Sequence, residues 1–343
     1  MTKHKARARQ AAVATAGFSA VAALAYLVLL GSGPVQLSPW EVLNVLTGGG
    51  DARQVSVVWD LRLPEAVACV VIGASLGMAG AWSQTMARNP LASPDILGVS
   101  GGASVLVVAG TVLVQPAIAA TIPGFWYRAL LSVAGALVII GLLFVFGRGG
   151  GGNRFVLVGL ALSLLCQSLV HYMVAKADLT HAAEAQMWLA GSTGFITGSA
   201  VPPLIVALLP FIAVGLWCQR DLRLLEHDDT TAIGLGANLR VLRALLLIAV
   251  TGIVAVVVAV AGPIGFVSLV APQIARLAAR TSSLGPIPSA AAGAAMLTTC
   301  SVVAELMPFT APVGLISALI GGPILVWLVW REAKSYRHRW AVP

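Results

Sequence analysis

Apolar residues run along this chain in stretches far longer than a soluble helix needs, separated by short polar links. A hydrocarbon core takes roughly 20 apolar residues per helix, and windows of that length predict ten spans. They cover about 11–31, 63–84, 97–115, 126–147, 155–175, 198–218, 242–262, 264–280, 286–306 and 313–330. The seventh and eighth form the weakest pair, because only Gly262 and Pro263 interrupt a continuous apolar stretch. Lys3, Lys5, Arg7 and Arg9 precede the first run as they would a signal peptide. That run is too long for an export signal, and no small-residue cleavage pattern closes it, so it is expected to stay as a span. The fold expected is all-α and polytopic, with a basic segment 1–10, a transmembrane domain 11–330 and a tail 331–343.

Composition supports that reading. Of 343 residues, 58% are hydrophobic and 10% charged, with a mean hydropathy of +0.92. Soluble chains carry about 25% charged residues. Ten crossings from a cytoplasmic N-terminus place the basic residues of 3–9, 220–243 and 331–339 inside, with Arg88, Arg148, Arg154, Arg276 and Arg280. Only Arg53, Arg62, Arg128 and Lys176, of 21 Lys and Arg, fall outside. This segregation is the positive-inside pattern, and a wrong span count would scramble it. The net charge of +8 then answers to an anionic inner leaflet and needs no nucleic acid. Cys69, Cys166, Cys218 and Cys300 lie scattered in or beside apolar runs and read as small buried hydrophobes.

The polar exceptions carry the functional information. Gln219–Arg243 is the longest loop on the cytoplasmic side and holds Asp221, Glu226, Asp228 and Asp229. Asp228 or Asp229 followed by Thr-Thr-Ala-Ile-Gly predicts a capped short helix ended by Gly234 or Gly236. It is either a solvated connector or a docking surface. Gly73 and Gly77, extended by Gly80 and Ala81, make a small-residue face that lets helices approach closely in lipid. Asn89–Asp95, with two prolines, cannot be continuous helix, and further breaks are expected at Gly262–Pro263 and Gly321–Gly322–Pro323. Irregular backbone at membrane depth belongs where protein buries it or a cavity runs beside it, so these breaks point to a transport path.

Only His171 and Glu305 read as ionisable groups within the spans. That argues against an ion-coupled carrier, which needs a coupling-ion site, and against a membrane enzyme, which needs clustered polar groups at one depth. The four lysines follow Thr, His, Ala and Ala, so no phosphate-binding GxxxxGK[ST] loop exists. Any driving force must come from a partner.

Four motifs then resemble the iron-siderophore and vitamin B12 permease family of ABC importers. The first runs from Leu61-Arg62-Leu63-Pro64 through Gly73, Gly80, Gln84 and Arg88-Asn89-Pro90-Leu91-Ala92-Ser93-Pro94-Asp95 to Gly98-Val99-Ser100-Gly101-Gly102. The others are Trp188–Ser192, Ala261–Pro272 with Ile274-Ala275-Arg276, and Pro312-Val313-Gly314 through Gly321-Gly322-Pro323. The resemblance implies a type II importer permease of ten helices, paired with a second permease subunit. Two cytoplasmic ATPase subunits would hold ATP and Mg, and an extracytoplasmic binding protein would deliver the cargo. This chain would not be catalytic and would hold no cofactor or metal. Cargo would be a ferric siderophore, or alternatively haem or cobalamin, and the location a bacterial inner membrane with both termini cytoplasmic.

The same resemblance implies roles for residues. Leu222, Leu224, Leu225, Thr231, Ala232, Ile233, Gly234, Leu235 and Gly236 would couple to the ATPase. Gln84, Asn89, Pro90, Gly98, Gly101, Gly262, Pro263, Gly265, Gly321 and Pro323 would line or hinge the path. Arg62, Glu65 and Glu305 would meet the binding protein. Glu65 and Glu305 stand where the family carries arginines, and Gln273 where it carries His. Reversed charge would repel an acidic-lobed binding protein. That leaves three readings: a heterodimer whose other half keeps the arginines, a binding protein with a basic residue opposite, or two glutamates that simply face water.

Overall fold

The lengths of the apolar runs set the lengths of the helices. The computed structural model describes residues 2–340 apart from 34, 96, 114–121, 148–152, 223–228, 235, 237, 282–284 and 310. Helices α1 (Thr2–Gly31), α4 (Leu63–Ala87), α6 (Gly124–Gly147), α7 (Asn153–Lys176), α9 (Val201–Trp217), α12 (Leu239–Ala261), α14 (Pro286–Glu305) and α15 (Val313–Trp340) supply eight candidate spans. Two expected spans are shorter apolar helices: α5 (Val99–Val108, prolonged by the π-helical turn Ala109–Leu113) and α13 (Val267–Ala279). Each follows a stretch of irregular backbone, which takes up the depth that the helix does not.

Five short helices have no counterpart among the ten spans. Ser38 and Glu41 cap each other reciprocally at the start of α2 (Pro39–Leu46), and Asp51 and Gln54 do so at α3 (Ala52–Ser56). From α3 the chain stays helical through a π turn, Val57–Arg62, into α4. The remaining three are α8 (Leu179–Leu189), α10 (Gln219–Leu222) and α11 (Asp229–Gly234).

α12 is the central helix. It packs against α4, α5, α6 and α9, and an unbroken run from Ala249 to Ala259 is buried. α14 lies on α4 and α1. A Cβ on Gly73 would strike the Gly293 carbonyl and one on Gly77 the Ser289 carbonyl, so α4 and α14 touch backbone to backbone. Glycine is needed at these crossings because lipid offers no hydrophobic drive for association and close packing must supply it. Gly80 turns the same face to Ser268 on α13. Outer helices expose Leu24, Leu137, Leu164, Leu209 and Leu319, as lipid-facing positions should.

Candidate functional site: a polar cavity where the broken segments meet

The irregular segment Asn89–Gly98 and the Gly262–Phe266 break come together inside the bundle. Asp95 is the junction: its carboxylate accepts from Ser100 Oγ and, at 3.3 Å, from Ser268 Oγ, while its carbonyl lies 3.5 Å from Ser163 Oγ. Gly98 starts α5 with a φ of +80°, a conformation open to glycine at no steric cost. A cavity of about 290 Å³ opens beside this junction. Asp95, Ser100, Ser104, Ser163, Gln167 and His171 face it, with the backbone of Gly101, Pro263 and Gly265. Irregular backbone thus lines a cavity, as it must at membrane depth.

A second junction fixes the cavity's far wall. Ser192 donates its N–H to Ala261 O at 2.8 Å, and Gly314 donates to Gly191 O at 2.9 Å. A Cβ on Gly262 would strike Trp188 O, and one on Gly191 would strike Pro263 O. Three motifs far apart in sequence, Trp188–Ser192, Ala261–Pro263 and Pro312–Gly314, therefore share one backbone crossing. Ser317 extends it, donating to Gly265 O at 3.0 Å. The expected break at Gly321–Pro323 is corrected: α15 runs straight through, with Pro323 inside it. Gly321 is pressed against Phe266, where a Cβ would come within 2.5 Å of the Phe266 Cβ, so close packing calls for glycine there.

Gln84 and Gln273 join α4 to α13. Gln84 Nε2 donates to Leu269 O at 2.9 Å, Gln273 Nε2 donates to Gln84 Oε1, and it also lies 3.4 Å from Pro90 O. Asn89 accepts from Leu91 N–H at 2.9 Å, which turns the chain between the two. A smaller cavity, about 220 Å³, lies beside Pro90 and Gln273 at the end of the bundle that carries Arg276 and Arg331.

At the opposite end, Arg62 is buried and turned inward, donating to the carbonyls of Leu30 and Val35. Glu65 accepts from Ser301 Oγ at 2.7 Å and Thr193 Oγ1 at 3.3 Å, and Cys69 donates to that same threonine oxygen. Of the three residues expected at a docking surface, only Glu305 is exposed. It stands beside Gly33 and the Arg62 guanidinium.

In the loop expected to couple, Leu222 and Ala232 are buried in the main core and anchor α10 and α11. Thr231, Ile233, Gly234 and Gly236 face outward, while Leu224, Leu225 and Leu235 lie outside the described residues. All four cysteines are buried, and no group of three metal-ligating side chains occurs among the described residues.

Residues 21–331 match the FecCD transport family. The chain belongs to that family. Among FecCD relatives it is 35% identical over 316 residues to the vitamin B12 import system permease protein BtuC of Salmonella typhi, covering 91% of this chain and 93% of that one. The BtuC protein of Salmonella newport (strain SL254) matches to the same extent. The fold is that of a solved inward-facing metal-chelate type ABC transporter, with a TM-score of 0.75 at 24% identity over 92% of this chain and 98% of the other. As a FecCD protein, the chain is a permease subunit of an ABC importer, a membrane component that is not itself catalytic.

Sequence reasoning named His171 but not its company. Ser163, Gln167 and His171 recur every four residues, the spacing that puts side chains on one helix face, and that signal was available. Asp95 was visible only as part of a motif.

Proposed function

We propose that this FecCD permease passes vitamin B12, or a closely related bulky metal chelate, from a binding protein to the cytoplasm. The similarity to vitamin B12 import permeases over nine-tenths of the chain carries this reading and moves it from the ferric siderophore expected at first. The cavity of about 290 Å³ is smaller than a drug-sized pocket, so such a cargo needs a path completed by a second permease subunit. Two ATPase subunits hold ATP and Mg. They seat against the α10–α11 surface and drive the exposed Thr231, Ile233, Gly234 and Gly236. The end with Arg88, Arg276 and Arg280 faces the cytoplasm, in keeping with the positive-inside pattern.

Docking of the binding protein centres on Glu305. With Glu65 hydrogen-bonded inside the chain, a basic residue on the binding protein opposite Glu305 is a simpler match than a heterodimer. The test is uptake of cobalt-labelled cyanocobalamin by cells of the source organism with and without this chain. Loss of uptake on deletion, restored by the gene, supports the cargo. Undiminished uptake in the deletion rejects it.

A further inference from the structure

Ser163, Gln167 and His171 form a polar stripe on α7, in a helix otherwise rich in exposed leucine. Leaving an amide and an imidazole to face lipid is costly, and such groups in membrane helices line cavities or paths. Here they face the cavity that Asp95, Ser100 and Ser104 border from the other side. Ser163 is already engaged, donating to the Asp95 carbonyl, and the Asp95 carboxylate accepts from Ser100 and Ser268. Gln167 and His171 have no hydrogen-bond partner among the described residues. His171 also borders an open groove between α7 and α8, lined by Ala182 and Gln186, so cavity and groove meet at its ring.

The chemistry of the lining selects among ligands. A glutamine amide both donates and accepts, which pairs it reciprocally with another carboxamide. Asp95 accepts only, so it welcomes N–H groups and repels carboxylates and other anions. We propose that Gln167 and His171, backed by Asp95, form a transient hydrogen-bonding subsite of the translocation path for neutral carboxamide groups of the cargo. The subsite replaces water around a polar cargo during crossing, so it acts on transport rate and leaves delivery by the binding protein untouched. This proposal rests on the cargo reading above and adds a reason for preferring an uncharged, amide-rich chelate over an anionic one.

The experiment uses the whole importer in proteoliposomes, with its ATPase and binding protein. Wild type is compared with the double variant Gln167→Leu/His171→Leu and the conservative Gln167→Asn/His171→Gln. The probes are cyanocobalamin, which is neutral and amide-bearing, and ferrichrome, a ferric hydroxamate. Losing two hydrogen bonds should slow cyanocobalamin transport about tenfold in the leucine variant, with substantial recovery in the conservative one. ATP hydrolysis stimulated by loaded binding protein should stay within about twofold, since docking and coupling surfaces are intact. Wild-type transport of ferrichrome alone overturns the cargo reading, while the subsite then stands or falls on whether the leucine variant slows ferrichrome. Equal rates in wild type and leucine variant overturn the subsite, as does a conservative variant no faster than the leucine one. Transport of neither probe by wild type overturns both.

Discussion

Gly314 gives its N–H to the carbonyl of Gly191 at 2.9 Å, and this bond ties the first turn of α15 to the loop that follows α8. The approach is so close that a Cβ on Gly314 would strike the Ala190 carbonyl. Gly314→Ala should therefore destabilise the protein by about 1–3 kcal/mol, the usual range for overpacking. Gly141 has nothing within 4 Å of its Cβ position, so Gly141→Ala should leave the thermal midpoint unchanged or raised. Unfolding of the two purified variants in the same detergent checks the contrast.

Gln84 and Gln273 act as one unit, because Gln273 donates to the same amide that donates onward to Leu269 O. Gln84→Leu removes a side-chain donor from the buried Leu269 carbonyl and the acceptor from Gln273 Nε2, at a cost of about 1–3 kcal/mol. Gln273→Leu should add little once Gln84 has gone. A double-mutant cycle on thermal stability should show coupling of about 0.5 kcal/mol or more.

Glu65 and Glu305 should behave differently under the same charge reversal. Glu65→Arg places a cation among Ser301, Thr193 and Cys69, where the carboxylate was hydrogen-bonded, and should cost about 3 kcal/mol or more. Glu305→Arg changes an exposed side chain, where repulsion from the nearby Arg62 guanidinium should cost about 1 kcal/mol or less. Its effect should appear in affinity for the binding protein. Thermal melts paired with binding titrations separate the two.

The start of α2 should loosen in acid. Hydrogen bonds from the Ser38 hydroxyl and backbone N–H hold the Glu41 carboxyl below its ordinary pKa. A lowered value in the folded state means that this stabilisation is present above the ordinary glutamate range and is lost as pH falls through the depressed value. Hydrogen exchange of the first-turn amides of α2, corrected for intrinsic rates, should accelerate across that acid range. Ser38→Ala should weaken the dependence and leave the part carried by the backbone N–H.

The spans were legible because hydropathy reports directly on lipid contact, and the run lengths placed α4, α6, α7, α9, α12 and α14 within a few residues, while α1 starts earlier, at Thr2, and α15 runs on to Trp340, beyond the apolar runs. The short helices escaped a reading tuned to long windows, although Ser38-x-x-Glu41 and Asp51-x-x-Gln54 carry cap signals in plain view. Pro323 was expected to break a helix that it only interrupts by one hydrogen bond, since neighbouring packing holds α15 together. The site was legible in pieces. Gly98, Gly101, Pro263 and Gly265 stood out singly as breaks, but only the fold brings them to one cavity with Asp95. Pairings such as Asp95 with Ser268 span 173 positions, and no local pattern encodes them.

The central claim is that this chain is a permease moved by partner ATPases. Native mass spectrometry of the tagged chain, extracted from its own membranes in a mild detergent, tests it most directly. A particle of two permease subunits and two ATPase subunits is the predicted result, with the ATPase lost when Ile233 on the exposed face of α11 is changed to Asp. A chain that runs alone, in a detergent that keeps known ABC importers whole, would contradict the account.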